Sequence, residues 1–235
     1  ASTGGAVTFG STLDGAQTLG ITAVGGTVTF TGAVGATTPL GALSIASAND
    51  VTATTLSSAS FVQTAGSGTT TFGGAVTTTA GGGVNVTAAA LAVNAAVTTG
   101  GTGVVTFTQS GATTIAAAGT IISGGDVTIT SGTTTTSANI TTSADVINFA
   151  SPTTLGAGIL LASTGGAVTF GSTLDGAQTL GITAGAGNVT FTGAVGGTTP
   201  LGALSIVSAG NVTATTTLAS ASFVQTAGTG TTTFG

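Results

Sequence analysis

Residues 26–32 read GTVTFTG, and this stretch decides the fold of the chain. Val28 and Phe30 alternate with threonines, and a glycine bounds the stretch at either end. An apolar–polar alternation with a period of two is the pattern of a β-strand that buries one face. Val, Phe and Thr also favour the pleated surface of a sheet. GTVTFTG therefore predicts a short strand whose Val28 and Phe30 side chains face a core.

The same form recurs along the chain, as in GAVTFG, NDVTATT, GVNVTA, GVVTFTQ, GDVTITSG and ADVINFA. The central residues Val84, Val105 and Val127 follow one another at steps of 21 and 22 residues. The Gly, Asn, Asp and Ser residues between the segments favour turns, and Gly and β-branched residues interrupt every candidate helix. Short strands at this step predict an all-β fold, a β-solenoid of about 20–23 residues per coil.

A second, much longer repeat lies over the short one. Residues 162–235 repeat residues 1–73 with one inserted Thr, and 64 of 73 positions are identical. We expect residues 1–161 to form one full long repeat of solenoid coils, and residues 162–235 to begin a second copy in the same continuous solenoid. At roughly 4.8 Å per coil, the chain would make about 11 coils and a rod on the order of 50 Å long.

The composition excludes several classes of function. The chain contains no Lys, Arg, His, Cys, Met, Trp or Tyr, and five Asp residues carry its only side-chain charges. Binding to nucleic-acid phosphates needs cationic side chains, zinc and haem sites need His or Cys, and the Ser-His-Asp triad needs a histidine. No apolar run is long enough for a membrane helix. We therefore expect no enzyme activity, no cofactor, no metal site, no nucleic-acid partner and no membrane insertion.

The alternation also predicts which side chains fill the interior of the solenoid. Inward residues of successive coils would stack in ladders of Val on Val and Phe on Phe, because each coil lies directly on the previous one. The predicted core ladder consists of Val7, Phe9, Val28, Phe30, Leu43, Ile45, Val105, Phe107, Val127, Ile129, Val168, Phe170, Val189 and Phe191.

The acidic residues favour structural roles in turns. Asp14 and Asp175 occupy equivalent places in STLDGAQTL, where the Asp-Gly pair is typical of a turn. Calcium ligation is the alternative, since carboxylate oxygens suit that ion. The calcium-binding pattern G-G-x-G-x-D is absent, and no second acid lies nearby in the sequence. The turn is the favoured interpretation.

Two further polar features carry alternatives. Asn85, Asn139, Asn188 and Asn211 each begin an N-x-T triplet, which could accept a glycan in a suitable secretion system. The coil pattern also writes N-V-T by itself, and stacked Asn side chains could form amide ladders. Threonine runs such as Thr133 to Thr136 could order water on a flat face, as in ice-binding solenoids. That function needs a T-x-T pair at one fixed position in every coil, and we expect the threonine positions to wander.

The coil pattern resembles a known family of large bacterial exoproteins. SAGNVTATT, ISGGDVTITSG and GAGNVTFTG are similar to the G-[ND]-V-[TS]-hydrophobic coils of filamentous-haemagglutinin-type adhesins. The resemblance implies a right-handed parallel β-helix that is secreted to or beyond the cell surface. It also implies an adhesive or fibre-forming role. The chain departs from the usual pattern in having no cations and a nearly identical long repeat.

These observations predict a structural protein, namely a segment of a bacterial surface adhesin shaft, filament or sheath. Its partners would be copies of itself, end to end or side by side, and host or neighbouring-cell surfaces. One alternative is an amyloid-like fibre subunit that assembles by pairing between chains. Another is a β-solenoid module that binds ice, mineral or polysaccharide. The expected location is extracellular, at the cell surface.

Overall fold

The computed structural model describes all 235 residues, which form 28 short strands and no helix. The chain winds through about 11 coils, and each strand pairs in parallel with the corresponding strands of the coils before and after it. The prediction of an all-β solenoid from the apolar–polar alternation is therefore confirmed.

The strands, in chain order, are β1 (Val7–Phe9), β2 (Leu19–Thr22), β3 (Val28–Phe30), β4 (Leu40–Ser47), β5 (Val51–Ala53), β6 (Leu56–Gln63), β7 (Thr69–Phe72), β8 (Val76–Thr78), β9 (Val84–Ala88), β10 (Ala90–Val93), β11 (Val97–Thr99), β12 (Val105–Gln109), β13 (Ala112–Ile115), β14 (Ile121–Ser123), β15 (Val127–Thr130), β16 (Thr133–Thr136), β17 (Ile140–Thr142), β18 (Ile147–Phe149), β19 (Thr153–Leu155), β20 (Ile159–Ser163), β21 (Val168–Phe170), β22 (Leu174–Asp175), β23 (Leu180–Thr183), β24 (Val189–Phe191), β25 (Leu201–Ala209), β26 (Val212–Ala214), β27 (Ser220–Gly228) and β28 (Thr232–Phe234).

Each coil runs over three faces. Face 1 is a nine-stranded sheet made of β1, β3, β5, β7, β10, β13, β16, β19 and β22. The other nineteen strands form a second sheet, which covers two faces. Strand β6 joins these faces, since its first residues pair with β8 on one face and its last residues pair with β9 on the other. Face 2 contains β8, β11, β14, β17, β20, β23, β25 and β27. Face 3 contains β2, β4, β6, β9, β12, β15, β18, β21, β24, β26 and β28.

The interior is one continuous apolar core of 49 buried residues. The predicted core residues lie on face 1 (Val7 to Phe30) and on face 3 (Leu43 to Phe191), with their side chains inward. Twelve of the fourteen are buried. Val7 and Phe9 are half-buried, because a neighbouring coil covers them from one side only.

Aromatic side chains stack along the axis within this core. The rings of Phe149, Phe170 and Phe191 lie one above another on face 3, with centroids 5.1 Å and 5.5 Å apart and planes within 8° of parallel. Phe9 and Phe30 form an equivalent pair on face 1, at 5.1 Å. The pairs contribute beyond their buried area, by about 0.5–1.5 kcal/mol each in typical aromatic contacts. Parallel register therefore turns a repeated Phe into a stabilising stack.

The second long repeat is rotated relative to the first. Val7 lies on face 1, whereas its equivalent Val168 lies on face 3, paired with Ile147 of β18. Strand β19 follows β1 by seven coils on face 1, and the chain then crosses face 2 before β21 begins on face 3. The 161-residue repeat therefore spans seven and two-thirds coils, and identical segments occupy different faces.

One substitution between the copies changes the backbone strain at a tight turn. Val24 has a φ of 50°, and it is the chain's one non-glycine residue with positive φ. The equivalent position in the second copy is Gly185, with a φ of 58°. A β-branched residue in this left-handed region is strained, by roughly 1–2 kcal/mol, because its Cβ approaches the carbonyl oxygen. The first copy therefore carries strain that the second copy lacks.

Val24→Gly should raise the free energy of unfolding by about 0.5–1 kcal/mol, since glycine adopts positive φ without a Cβ clash. Urea titration followed by circular dichroism measures the change. The matched control is Gly185→Val, which should be destabilising, because a Cβ at that position would collide with the carbonyl oxygen of Thr164. A Val24→Gly protein less stable than the unsubstituted chain would contradict the strain.

Phe170→Ala should lower the free energy of unfolding by about 3–5 kcal/mol, because it empties the middle of a three-ring stack. Phe9→Ala removes the equivalent residue of the first copy, which is half-buried and has one stacking partner. It should therefore cost clearly less. Urea unfolding of both variants checks the difference, and equal losses would argue against stacking as the source of stability.

Candidate functional surfaces

The solenoid buries a ladder of hydroxyl groups that the sequence did not reveal. Its members lie where the face 2 part of each coil ends, at the corner leading to face 3, and all are buried: Ser58, Thr78, Thr99, Ser123, Thr142 and Ser163. Thr99 Oγ1 and Ser123 Oγ both donate to the Gly103 carbonyl, at 2.5 Å and 3.1 Å. The hydroxyls of Thr99 and Ser123 therefore hold the turn to face 3, whereas the buried Thr78 Oγ1 makes no hydrogen bond.

Two glutamine–threonine pairs add further polar contacts inside the core. Thr70 Oγ1 donates to Gln63 Oε1 at 2.6 Å, and Thr113 Oγ1 donates to Gln109 Oε1 at 2.7 Å. Gln109 Nε2 also donates to the Val86 carbonyl, at 3.0 Å. Both pairs join a face 3 strand to the next face 1 strand of the chain, so they fix the corner between these faces.

The carboxylates cap turns between successive coils. Asp175 Oδ1 accepts hydrogen bonds from the backbone N–H groups of Thr198 and Thr199, at 2.8 Å and 3.0 Å. Asp14 makes the equivalent bonds in the first copy. Asp126 Oδ1 accepts from the Val146 N–H at 2.8 Å. No three acidic side chains come together. The turn interpretation of Asp14 and Asp175 therefore agrees with their hydrogen bonds.

Three of the four predicted glycan acceptors, Asn139, Asn188 and Asn211, form hydrogen bonds between coils. Asn188 Oδ1 accepts from the backbone N–H of Asn211, at 2.9 Å, and from its Nδ2, at 3.3 Å. Asn139 Oδ1 accepts from the Leu160 N–H at 2.8 Å, and Asn85 Nδ2 donates to a carbonyl of its own turn. Asn85 is half-buried and the other three are exposed. Asn188 and Asn211 form the expected amide contact, and glycosylation stays a prediction.

Outward threonines form an ordered ladder on face 1. Nine outward positions of consecutive coils pair in register, and seven are threonine: Thr8, Thr29, Thr52, Thr71, Ala92, Thr114, Thr135, Thr154 and Asp175. The expectation that threonine positions wander is wrong for this face. The step between successive positions of this ladder varies from 19 residues, between Thr52 and Thr71, to 23, between Thr29 and Thr52, and this variation hides the common register in the sequence.

Face 3 carries a second ladder of the same kind in its later coils. Seven successive outward positions pair in register, and six are threonine: Thr106, Thr128, Asn148, Thr169, Thr190, Thr213 and Thr233. Face 2 differs. Along its outward positions Thr141 lies between Ile122 and Ala162, so the threonines of this face do not form a continuous ladder. Two of the three faces thus present threonine ladders.

The remaining surface offers little concavity. A shallow depression of about 250 Å³ lies beside the strained turn and is lined by Val24, Ser47, Ala48, Ala65, Gly66 and Ser67. Its lining contains no charged side chain. No helix of the structure has the length and apolar character to span a membrane. No protein-family model, curated protein or solved structure matches the chain.

Asp175→Ala should lower the free energy of unfolding by about 1–2 kcal/mol, because two backbone N–H groups lose a charged acceptor. Asp175→Asn keeps an oxygen at the same place and should recover most of the loss. The midpoint of urea unfolding measures both variants. Added calcium should leave the midpoint of the unsubstituted chain unchanged, and a calcium-dependent rise that Asp175→Ala abolishes would support the ligand role instead.

Proposed function

We propose that the chain is a segment of an extracellular bacterial shaft, filament or sheath whose function is mechanical. The observation that carries the proposal is the unbroken parallel pairing of strands through about 11 coils. The hydrogen bonds of these ladders run along the rod axis, and the apolar core continues from coil to coil. The stability of such a stack comes from contacts between neighbouring coils. Each added coil therefore stabilises the rod through the same kind of contact as the coils before it.

The surface chemistry supports a durable extracellular material. The chain has no Lys or Arg, so trypsin-like proteases find no cleavage site. Threonine is the commonest residue at its outward strand positions, and Asp50, Asp126 and Asp175 cap turns. None of the exposed loops of the rod contains a basic residue. Resistance to degradation is a property that a surface filament needs.

The adhesin-like coil pattern has a physical role in this structure. Asn188, Asn211 and Asp126 each stand directly before a face 3 strand, and the following Val is buried. In each case the Asn or Asp oxygen accepts a backbone N–H of the next coil, at 2.8–2.9 Å. The resemblance to filamentous-haemagglutinin-type adhesins therefore concerns residues that stack coils. It supports an adhesin shaft, with copies of itself and host or neighbouring-cell surfaces as partners.

Immunogold labelling of intact source cells tests the location. Antibodies raised against the purified chain should label filaments or a sheath outside the cell without permeabilisation. The control is the same labelling after permeabilisation, together with an antibody against a cytoplasmic protein. Label found inside permeabilised cells and absent from intact ones would overturn the proposal.

The mass of the native protein after full denaturation tests its organisation. We expect several hundred kilodaltons, since the 161-residue unit would be one link of a long shaft. A mass near 21.5 kDa would instead mean that short chains join without covalent bonds, as in the amyloid-like alternative. Peptides for identification have to come from cleavage at Asp, because the chain contains no tryptic site.

A further inference from the structure

We propose that the threonine ladders of face 1 and face 3 are lateral docking surfaces for a second copy of this chain. The rods would associate through these faces into open-ended bundles. This inference rests on the proposed structural function, because it names the surface through which neighbouring rods meet. The inference is based on three observations: the ladder threonines pair in register, their hydroxyl groups make no hydrogen bond within the chain, and the same residues recur on two faces.

The hydroxyl groups of the ladders are free to bind a partner. The outward hydroxyls of Thr29, Thr52 and Thr135 take part in no hydrogen bond within the chain, and the same holds along both ladders. Threonines at the strand ends behave differently: Thr54 Oγ1 donates to the Gly32 carbonyl at 2.8 Å, and Thr215 Oγ1 to the Thr192 carbonyl at 2.7 Å. The ladder threonines thus present an unused hydroxyl and a methyl group at every rung.

The spacing of the rungs selects the partner. In-register coils repeat at about 4.8 Å along the axis, and outward residues two apart in one strand lie about 6.7 Å apart. A surface that matches such an array over many rungs must repeat at the same distance. A second parallel β-solenoid has this repeat by construction. Identical side chains from two facing sheets interdigitate in dry steric zippers, and Thr is small enough to do so.

Electrostatics does not oppose the contact. Soluble surfaces avoid association by carrying about 25–35% charged residues of both signs, whereas 2% of this chain is charged. On face 1 the ladder contains one charged residue, Asp175, at its last rung. The carboxylate of Asp50 lies beside the ladder and is occupied by the Thr69 N–H, at 2.7 Å. Two such faces therefore meet with little charge repulsion.

The size of one face predicts a weak single contact. Nine rungs extend about 38 Å, and strands of three to four residues are about 10–13 Å wide. The resulting area is roughly 400–500 Å² for each partner, against about 800 Å² in a stable interface of standard size. Stable association therefore needs several contacts that act together, as in multivalent binding.

The rotation of the long repeat supplies these contacts in more than one direction. The rungs Thr29 and Thr52 on face 1 recur as Thr190 and Thr213 on face 3, within the same repeated sequence. One chain therefore carries the same patch on two faces. Two patches that point in different directions do not close into a dimer, because each bound neighbour leaves a free patch. The predicted assembly is a growing bundle.

Lysine substitutions on one face at a time test the proposal with the purified full chain. The face 1 variant combines Thr52→Lys and Thr135→Lys, and the face 3 variant combines Thr128→Lys and Thr190→Lys. Sedimentation velocity over a concentration series and the width of negatively stained particles are the measurements. The unsubstituted chain should form species that grow and widen with concentration. Each single-face variant keeps one weak contact, so it should remain mainly monomeric, with dimers at the highest concentrations and no larger species. The combination of both should stay monomeric throughout.

The control variant places the same charge on face 2, as Thr77→Lys with Thr141→Lys, and should assemble like the unsubstituted chain. Circular dichroism checks folding, and Thr→Gln at the same sites replaces any lysine variant that fails to fold. Particles that lengthen without widening, or an equal effect of the face 2 control, would overturn the proposal. A chain that stays monomeric but shapes growing ice crystals through face 1 would also overturn it, in favour of ordered water as the ligand. These outcomes concern isolated rods, so they leave the location test of the proposed function unaffected.

Discussion

The rest of the structure depends on parallel, in-register pairing between coils. Each strand lies on its counterpart one coil earlier. Every inward side chain must therefore pack against the side chains at the same position of the neighbouring coils, about 4.8 Å away. Val28 accordingly lies between Val7 and Val51, and Phe170 between Phe149 and Phe191. The same constraint places hydroxyl on hydroxyl at the corner between face 2 and face 3. A single coil cannot satisfy it alone, and each added coil completes the hydrogen bonds of the last.

Local alternation was enough to predict the strands and most of the core, because Val28 and Phe30 can bury their side chains on one face of a strand only. It did not predict which strands share a face. Coil length varies between 19 and 23 residues along face 1 alone, and the loop before Leu40 carries an insertion capped by Asp14. Sequence spacing therefore misses the alignment of Thr52 with Thr71, which depends on hydrogen bonds between distant residues.

The polar interior was hidden for a related reason. Thr99 and Ser123 look like ordinary surface residues of short strands, and their burial follows from the corner at which the coil turns. The turn positions of Asp14 and Asp175 could be predicted from the sequence, because an Asp-Gly pair indicates a turn wherever it lies. Comparison of the two copies shows that the cap itself tolerates exchange. Asp50 accepts the Thr69 N–H at 2.7 Å, and its neutral counterpart Asn211 accepts the Thr231 N–H at 2.8 Å. The oxygen at that position matters more than its charge.

The fractional length of the long repeat has a consequence for how such a gene can change. A unit of seven and two-thirds coils, inserted or deleted by recombination between near-identical copies, leaves every downstream strand well stacked but moves it to another face. Adding one unit lengthens the rod by about 37 Å at 4.8 Å per coil and re-aims all later surface features by a third of a turn. Adding three units restores their direction. The number of repeat units therefore sets both the length of the rod and the direction in which later coils present their surface residues. The two properties cannot change independently.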